Sequence, residues 1–245
     1  MSHDHRIALV TGASRGIGRA TAKAFLDRGM RVAVNGRTIE SVSTAIAELG
    51  GGDRLVAAPG DIATVAGCES AVTATIKAFG SLDVLVNNAG VYTRTPIAGS
   101  DEQLWDWVMD ANVKGVFFCG RAALDALRAS RGVIVNVASE AGLRGYGGIT
   151  IYCASKGAVV NLTRAMALEL APDVRVNCVC PGVVDTDMSR NISPDFQRES
   201  ADFYPMKRIA TANEVAQAIV YLASEDAGFI TGTALAIDGG ANAGG

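Results

Sequence analysis

The sequence predicts one α/β domain with a doubly wound parallel sheet of seven strands and helices on both faces. Seven short apolar runs rich in β-branched residues lie between longer segments with helical spacing. This alternation of strand and helix is typical of parallel sheets built by right-handed crossovers. The 28 glycines follow the apolar runs as punctuation and do not cluster into a linker. We therefore treat residues 1–245 as a single domain.

The apolar runs do not alternate with polar residues, as expected of strands buried on both faces. The predicted strands are Ile7–Val10, Val32–Asn35, Leu55–Ala58, Val84–Asn87, Val133–Ala138, Val174–Cys180 and Ala234–Ile237. The predicted helices are Gly16–Arg28, Ser41–Leu49, Thr64–Phe79, Ala111–Ser130, Ile151–Ala171 and Asn213–Ser224. Only Asp185–Pro205 lacks a clear period, and long insertions of this kind often form binding loops. We expect this segment to be a lid over a substrate site.

Composition and charge exclude several classes of function. With 22 basic and 25 acidic residues the net charge is −3, so no basic surface for nucleic acid is predicted. No apolar run approaches the roughly 18 residues of a membrane span. The first residues, Met1–Arg6, are polar and unlike a signal peptide. We expect a cytoplasmic protein whose partners include neither nucleic acid nor membrane.

Cysteine and histidine usage narrows the chemistry. The five cysteines are scattered, which argues against a disulfide framework or a zinc site and favours small buried apolar side chains. The only histidines, His3 and His5, lie at a chain end that we expect to be frayed. No metal site is predicted, and an acid or base in this chain must be Tyr, Lys, Cys or a carboxylate.

A glycine-rich segment, Thr11–Gly18, joins the first predicted strand to the first helix. Gly12 permits a tight turn, Gly16 lets the backbone approach a pyrophosphate, and Gly18 lets the helix pack closely on the strand. Amide groups at the helix start attract an anion. An ordinary tight turn is the alternative, but the position favours a dinucleotide site. The predicted contacts in this segment are Gly12, Ser14, Arg15, Gly16, Ile17 and Gly18.

The end of the second strand bears on the choice of cofactor. A carboxylate there would bind the adenosine ribose and repel a 2′-phosphate. This chain has Asn35 and Arg37 instead, with no acid before Glu40, and Arg15 lies in the glycine turn. Two guanidinium groups favour NADP(H) over NAD(H), because they form charge-assisted hydrogen bonds with phosphate. The alternative is that Arg37 is a solvated charge at the start of a helix.

Tyr152 and Lys156 are spaced to lie on one face of a predicted helix, with about 6 Å between their Cβ atoms. A phenol has a pKa near 10, so a neighbouring ammonium and a nicotinamide cation would be needed to stabilise its phenolate at neutral pH. Ser139 ends the fifth strand at the edge where parallel sheets bind ligands. Its hydroxyl is suited to hold a substrate oxygen.

Other strand ends at the same predicted edge also carry distinctive residues. Asp61, followed by Ile62, is expected either to meet the adenine or to cap the next helix. The remaining predicted contacts are Asn88, Ala89 and Gly90 after the fourth strand, Asn112 in the helix that follows, and Pro181, Gly182, Val184 and Thr186 after the sixth. So many such residues on one rim favour a single active site.

Together these motifs resemble the short-chain dehydrogenase/reductase family. The resemblance covers nearly the whole chain: Thr11–Gly18, Asn87–Gly90, Asn112, Ser139, Tyr152 with Lys156, Pro181–Gly182, Ile230–Gly232 and Asp238–Gly240. It implies a Rossmann-type sheet in the order 3-2-1-4-5-6-7. It also implies a homotetramer built through the helices Ala111–Ser130 and Ile151–Ala171 and through the C-terminal edge.

The resemblance further implies a role for each reacting residue. Tyr152 would be the general acid or base, and Ser139 would orient the carbonyl or alcohol. Lys156 would lower the pKa of Tyr152 and bind the nicotinamide ribose, and Asn112 would hold a water of a proton relay. The implied activity is hydride transfer between NADP(H) and a small-molecule carbonyl or secondary alcohol.

Two alternatives stay open at this point. One is a 3-oxoacyl-carrier-protein reductase of fatty-acid synthesis, since the sequence does not identify the substrate. The other is a non-catalytic module that senses NADP(H), against which the retention of the serine, tyrosine and lysine argues. Arg144, in a candidate wall of the substrate site, is expected either to meet an acidic group or to be solvated.

Overall fold

The computed structural model describes residues 6–193 and 195–243 and contains a parallel sheet of seven strands. The order is β3-β2-β1-β4-β5-β6-β9, which confirms the predicted fold. The strands are β1 (Ile7–Val10), β2 (Arg31–Val34), β3 (Leu55–Ala57), β4 (Val84–Asn87), β5 (Val133–Val137), β6 (Arg175–Pro181) and β9 (Ala234–Ile237). Two unpredicted short strands, β7 (Val184–Asp185) and β8 (Ala210–Thr211), form a separate pair.

Nine helices cover the faces and edges of the sheet within the described residues. They are α1 (Gly16–Leu26), α2 (Ile39–Leu49), α3 (Val65–Phe79), α4 (Glu102–Met109), α5 (Gly115–Ser130), α6 (Thr150–Leu170), α7 (Asp187–Arg190), α8 (Phe196–Phe203) and α9 (Ala212–Ala223). The segment predicted as an irregular lid therefore contains two short helices, α7 and α8. Pro194, within that predicted lid, lies outside the described residues.

The predicted start of the fourth helix at Ala111 is wrong. A separate helix, α4, precedes it and is capped by Asp101, whose carboxylate accepts a hydrogen bond from the Leu104 amide at 2.8 Å. A π-helical turn, Asp110–Lys114, then leads directly into α5. The extra residue in this turn changes the direction of the side chains that it carries, Asn112 among them.

The core lies on both faces of the sheet. Ala8 and Val10 of β1 belong to the cluster that includes Phe25 of α1 and Ile219 of α9. Leu9, between them, faces the opposite cluster, which includes Leu127 of α5. Since successive residues of a strand point to opposite faces, burial of all three explains why the strand does not alternate with polar residues.

A buried polar chain crosses the sheet toward the helix that carries Tyr152. Asn87 donates from Nδ2 to Oδ1 of Asn136 at 2.9 Å, and Asn136 donates from Nδ2 to the Thr163 hydroxyl at 2.9 Å. These bonds join β4, β5 and α6. Because an unsatisfied buried polar group costs about 1–3 kcal/mol, the chain favours one register of α6 against the sheet.

The five cysteines are free thiols, and four of them are buried, as predicted. The prediction for His3 and His5 falls outside the described residues. Within residues 6–193 and 195–243, no three His, Cys, Asp or Glu side chains group as metal ligands. In that same part of the chain, none of the helices has the length and apolar character to cross a membrane.

Candidate active site

The structure brings Ser139, Tyr152 and Lys156 together at the carboxyl end of β5. Ser139 caps a short 3-10 turn, and its hydroxyl accepts a hydrogen bond from the Ala141 amide at 3.2 Å. Lys156 is 5% exposed and donates from Nζ to the Val137 carbonyl at 2.9 Å. The same Nζ lies 5.8 Å from the ring centroid of Tyr152. The shared helix face predicted from the spacing therefore points at the end of β5.

Burial dominates the pKa shifts of Tyr152 and Lys156 in the protein without ligand. It raises the pKa of Tyr152 to about 12, and the Ser139 hydroxyl opposes this by hydrogen bonding to the phenol oxygen. Burial also lowers the pKa of Lys156 to about 8, because the ammonium is removed from water. The protein residues by themselves thus keep Tyr152 protonated, and the expected lowering of its pKa by Lys156 stays a prediction.

Asn112, in the π-helical turn, ties three elements together. Its Oδ1 accepts a hydrogen bond from the Val91 amide at 2.8 Å, and its Nδ2 donates to the Val91 carbonyl at 2.9 Å. Nδ2 also donates to the Ser155 hydroxyl at 3.1 Å, which donates to the Tyr152 carbonyl at 2.8 Å. Asn112 thereby anchors the first turn of α6, on which Tyr152 stands, to the segment after β4.

Gly90 permits this close packing. A Cβ atom at this position would lie 2.9 Å from Oδ1 of Asn112 and 3.5 Å from Nζ of Lys156. The first distance is shorter than real Cβ contacts, so any larger residue would displace Asn112. The predicted glycine is required here by a close approach of side chains.

The glycine turn after β1 is bound to the end of β4. The Thr11 hydroxyl accepts hydrogen bonds from the Asn88 amide at 2.9 Å and the Ala89 amide at 3.0 Å. Asn88 donates from Nδ2 to the Thr11 carbonyl at 2.8 Å. Gly12 has φ +60°, and a Cβ there would lie 2.9 Å from Cα of Ala89. The role of Thr11 was not predicted, because its partners lie far along the chain.

The start of α1 is suited to hold an anion. Arg15 occupies the N-cap position in an extended conformation, and no side chain caps the helix. The first-turn amides are therefore left without a side-chain partner, next to Gly16 at φ +55°. A Cβ at Gly16 would lie 3.3 Å from Cγ2 of Thr186, so the base of the lid packs against the turn. This geometry fits the pyrophosphate of a dinucleotide.

Asn35, directly after β2, hydrogen-bonds the backbone of the glycine turn. It is buried, its Oδ1 accepts from the Gly12 amide at 3.3 Å, and its Nδ2 donates to the carbonyls of Ala58 at 2.8 Å and Gly60 at 3.1 Å. The side-chain amide of Asn35 is thus bonded to the backbone of the glycine turn and of the segment after β3, and its predicted contact with a cofactor stays a prediction. Arg15, in the glycine turn, and Arg37, three residues after β2, are both exposed.

The cap alternative for Asp61 is wrong. Thr64 caps α3, with its hydroxyl accepting from the Gly67 amide at 3.1 Å. Asp61 is exposed and accepts from the Ala63 amide at 3.1 Å, which leaves its carboxylate at the rim. The Ile62 side chain packs into the core, so that a Cβ at Gly115 would lie 2.7 Å from its Cδ1.

At the end of β6, the Ser139 hydroxyl donates to the Pro181 carbonyl at 3.4 Å. Gly182 packs on Tyr204, since a Cβ at this glycine would lie 2.8 Å from the phenol oxygen. Val184 is buried in β7, which leads into the lid. Of the predicted residues of this strand end, Pro181 thus lies next to Ser139, and Val184 leads into the lid.

Glu140, near the site, escaped prediction, and so did its hydrogen bond with Tyr204, which lies in the segment predicted as a lid. Tyr204 donates to Oε1 of Glu140 at 2.6 Å and accepts from the Val183 amide at 2.7 Å. The available signal was an acidic residue next to Ser139, close to the end of β5.

Aromatic side chains line the substrate side. Tyr92 packs edge-on against Tyr152, with 5.0 Å between ring centroids. Arg144 lies over the rings of Tyr146 and Phe203, at 4.7 and 5.0 Å, and donates to the Ala241 carbonyl at 2.8 Å. Arg144 is therefore held in a stack that joins the lid to the C-terminal segment. Neither expected role for it, binding of an acid or exposure to solvent, describes this position.

A doubly wound sheet with an open glycine turn and a serine, tyrosine and lysine at its carboxyl edge defines a class of dinucleotide-dependent oxidoreductases. The family model described as enoyl-(acyl carrier protein) reductase matches residues 12–242. The chain belongs to the short-chain dehydrogenase/reductase family, as the sequence predicted.

Relatives of different specificity are similar over almost the full chain. A meso-2,3-butanediol dehydrogenase of Serratia marcescens is 38% identical over 244 residues, 99% of this chain and 97% of that protein. A 3-oxoacyl-[acyl-carrier-protein] reductase of Chlamydia muridarum is 34% identical, covering 96% of this chain and 97% of its own. The crystal structure of a short-chain dehydrogenase/reductase, titled glucose/ribitol dehydrogenase, from Brucella melitensis is 34% identical, with a TM-score of 0.94 and 98% coverage of both chains.

Proposed function

We propose that this protein transfers a hydride between NADP(H) and a carbonyl or secondary alcohol carbon of a small molecule. The observation that carries the proposal is the meeting of Ser139, Tyr152 and Lys156 at the sheet edge that also holds the open glycine turn. When bound, the nicotinamide supplies or accepts the hydride. The protein residues supply orientation and a proton.

In the reducing direction, the phenol of Tyr152 is the proton donor. Burial keeps it protonated, since its pKa is about 12, and Ser139 stands beside it to hydrogen-bond the carbonyl oxygen. Positioned proton transfer of this kind contributes typically 10²–10⁴ in rate. In the oxidising direction Tyr152 must lose its proton first, and a positive charge close to its oxygen favours this.

Lys156 and Asn112 support this proton transfer. Lys156 is positioned through the Val137 carbonyl, next to the phenol ring, so that its ammonium can hold the nicotinamide ribose and stabilise the phenolate. The side chain of Asn112 fixes the backbone around the π-helical turn. We propose that this turn holds the water through which Tyr152 exchanges its proton with solvent.

We propose NADP(H) as the preferred cofactor. Arg15 and Arg37 are exposed beside the glycine turn, and Ser14 lies close to the end of β2, 3.9 Å from the Cβ position of Gly36. Asn35 and Gly36 follow the second strand, without a carboxylate to repel a 2′-phosphate. Each charge-assisted hydrogen bond to that phosphate would contribute about 1.5–3 kcal/mol.

Reduction of a 3-oxoacyl group on a carrier protein is the second candidate. It is supported by the similarity to the reductase of Chlamydia muridarum and by the description of the family model. The half-exposed apolar side chains of Met188 and Phe203 in the lid suit an acyl chain. Retention of the three reacting residues argues against a module that only senses NADP(H).

We further propose that the protein assembles as a homotetramer. Trp105 and Trp107 of α4 and Phe117 of α5 are each nearly half exposed. Leu168 of α6 and Phe229, which precedes the edge strand β9, are exposed almost completely. Exposed apolar side chains of this size mark interaction surfaces. Phe117, Leu168 and Phe229 lie on or beside the elements that the family resemblance implies for contacts between subunits, and the two tryptophans lie on α4, which precedes the first of those helices.

The experiment that tests the activity is a panel of ketones, aldehydes and secondary alcohols assayed by the absorbance of the reduced cofactor. The panel includes meso-2,3-butanediol and a 3-oxoacyl thioester, each with NADP(H) and with NAD(H). Turnover with at least one carbonyl–alcohol pair is expected. Tight binding of NADPH without any turnover would instead favour the sensing module.

A further inference from the structure

A buried carboxyl group lies directly beside the catalytic serine and has no part in the proposed proton transfer. Glu140 is 6% exposed, and its Oε1 accepts a hydrogen bond of 2.6 Å from the phenol of Tyr204. Tyr204 is 2% exposed and immediately follows α8. Its oxygen accepts a hydrogen bond from the Val183 amide at 2.7 Å. The result is a continuous chain from Val183 through Tyr204 to Glu140.

This chain joins the two turns that border the reacting group. Glu140 opens the 3-10 turn that Ser139 caps, and Val183 follows Pro181 at the end of β6. The direct link between these turns, from the Ser139 hydroxyl to the Pro181 carbonyl, is long at 3.4 Å. The two bonds through Tyr204 are shorter and almost fully buried, so they are the stronger connection.

Burying the carboxyl group of Glu140 costs free energy unless hydrogen bonds compensate the loss of water. Its Oε2 has no hydrogen-bond partner among the described residues. The charged and titratable groups that face it are Tyr204, Tyr146, Arg144 and Asp238. Burial raises the pKa of Glu140, and the hydrogen bond from Tyr204 and the charge of Arg144 oppose that rise. Tyr204 is the group that bonds it with good geometry.

We propose that Glu140 and Tyr204 are positioning residues that hold the Ser139 turn and the Pro181–Val183 turn at a fixed separation. Neither residue touches the reacting atoms in this proposal. Because Tyr204 ends α8, the pair also fixes the lid to the catalytic edge. The inference rests on the proposed function, in which Ser139 binds the substrate oxygen, and on the prediction that Pro181 and Gly182 contact the cofactor.

The test compares Tyr204→Phe, Glu140→Gln, Glu140→Leu and the double variant Glu140→Leu/Tyr204→Phe. Tyr221→Phe, on the half-exposed surface of α9, is the matched control. The measured quantities are kcat and KM for the best ketone of the panel, the Kd of NADPH by fluorescence, and the melting temperature without ligand. The last two need no substrate.

Tyr204→Phe and Glu140→Leu are expected to lower kcat about tenfold, the effect of a loss of about 1.4 kcal/mol in the transition state. The KM and the Kd of NADPH are expected to stay within about threefold, because the binding groups remain. Glu140→Gln keeps an oxygen that accepts from Tyr204, so its kcat should stay within about threefold of the parent. The double variant should match the single ones, since either change already breaks the chain.

If Glu140 and Tyr204 contributed only to packing, the variants would rank differently in kcat. Leucine and phenylalanine would then suffice, and Glu140→Leu and Tyr204→Phe with kcat within twofold of the parent would overturn the proposal. So would additive losses of kcat or melting temperature in the double variant, or a Glu140→Gln variant as impaired as Glu140→Leu. Where Tyr204→Phe does not fold, the comparison of Gln with Leu at position 140 decides alone.

The failure of this inference can be told apart from failure of the proposed function. Loss of turnover in Tyr152→Phe together with unaffected Glu140 and Tyr204 variants overturns the positioning role only. Turnover that survives Tyr152→Phe overturns the proposed chemistry. In that case the melting temperatures of the two single variants and the double variant still show whether Glu140 and Tyr204 are coupled.

Discussion

Lys156 donates from Nζ to the Val137 carbonyl at 2.9 Å, while the same ammonium lies 5.8 Å from the ring centroid of Tyr152. One side chain thus spans from the end of β5 to the first turn of α6. The bond compensates a buried cation that would otherwise have no partner in the apolar interior. It also places the positive charge next to the ring on which a phenolate would form. The effect of Lys156 on the stability of the fold and its effect on the reaction rate can therefore be measured separately.

Tyr152→Phe is expected to lower kcat by about 10²–10⁴, because the proton donor is removed and the ring remains. The Kd of NADPH should change less than twofold. Both are measured with the carbonyl substrate identified in the panel and by NADPH fluorescence. Tyr221→Phe, which removes a phenol from the surface of α9, should leave both quantities unchanged. Substantial turnover in Tyr152→Phe would contradict the assignment of the acid.

Lys156→Met is expected to stabilise the ligand-free protein at pH 7 while abolishing turnover. Burial lowers the pKa of Lys156 from 10.5 to about 8. The folded state therefore binds fewer protons than the unfolded state between these values, and stability rises with pH across that window. Below pH 8 the buried charge costs about 3 kcal/mol, from which the lost hydrogen bond of about 1 kcal/mol must be subtracted.

The melting temperature of Lys156→Met should exceed that of the parent by about 4–8 °C at pH 7, and the advantage should shrink between pH 8 and 10.5. Thermal unfolding followed by circular dichroism at several pH values measures this. Lys77→Met, at an exposed lysine of α3, should show no comparable gain. A lower melting temperature at pH 7, or a difference independent of pH, would speak against a buried ammonium.

Arg37→Asp is expected to weaken NADPH binding about tenfold to a hundredfold, since a charge-assisted bond is replaced by repulsion. The Kd of NADH should change less than threefold, because that cofactor lacks the 2′-phosphate. Fluorescence titration with both cofactors measures the two constants. Lys77→Asp makes the same change in net charge on α3 and serves as the control. Equal losses for both cofactors would reject the phosphate-binding role.

Phe229→Lys is expected to reduce the mass of the assembly from four chains to a smaller species, because a charge would have to be buried between subunits. Light scattering after size exclusion measures the mass. Ile97→Lys changes an apolar side chain that is 76% exposed, outside the proposed contacts, and should leave the tetramer intact. A parent protein that runs as a single chain would refute the assembly itself.

The strands were predictable because their burial on both faces leaves a strong local signal. The bounds of Ile7–Val10, Val84–Asn87 and Ala234–Ile237 agree with the structure to the residue. The π-helical turn Asp110–Lys114 was not predictable, since one extra residue in a helix hardly alters the apolar spacing. The helices of the lid were not predicted either, because the longer one, α8, has only eight residues and none of them is buried.

The sheet, the glycine turn and the three residues proposed to react could be predicted from the sequence, since each depends on neighbours within a few positions or on a strand end. The tertiary structure alone decided which polar groups face the site and which support it. Asn35 hydrogen-bonds three backbone groups on two distant segments, and Tyr204 reaches Glu140 across 64 positions. Such pairings arise because crossover connections bring distant strand ends to one edge of the sheet. The spacing of residues along the chain does not show which of them will meet there.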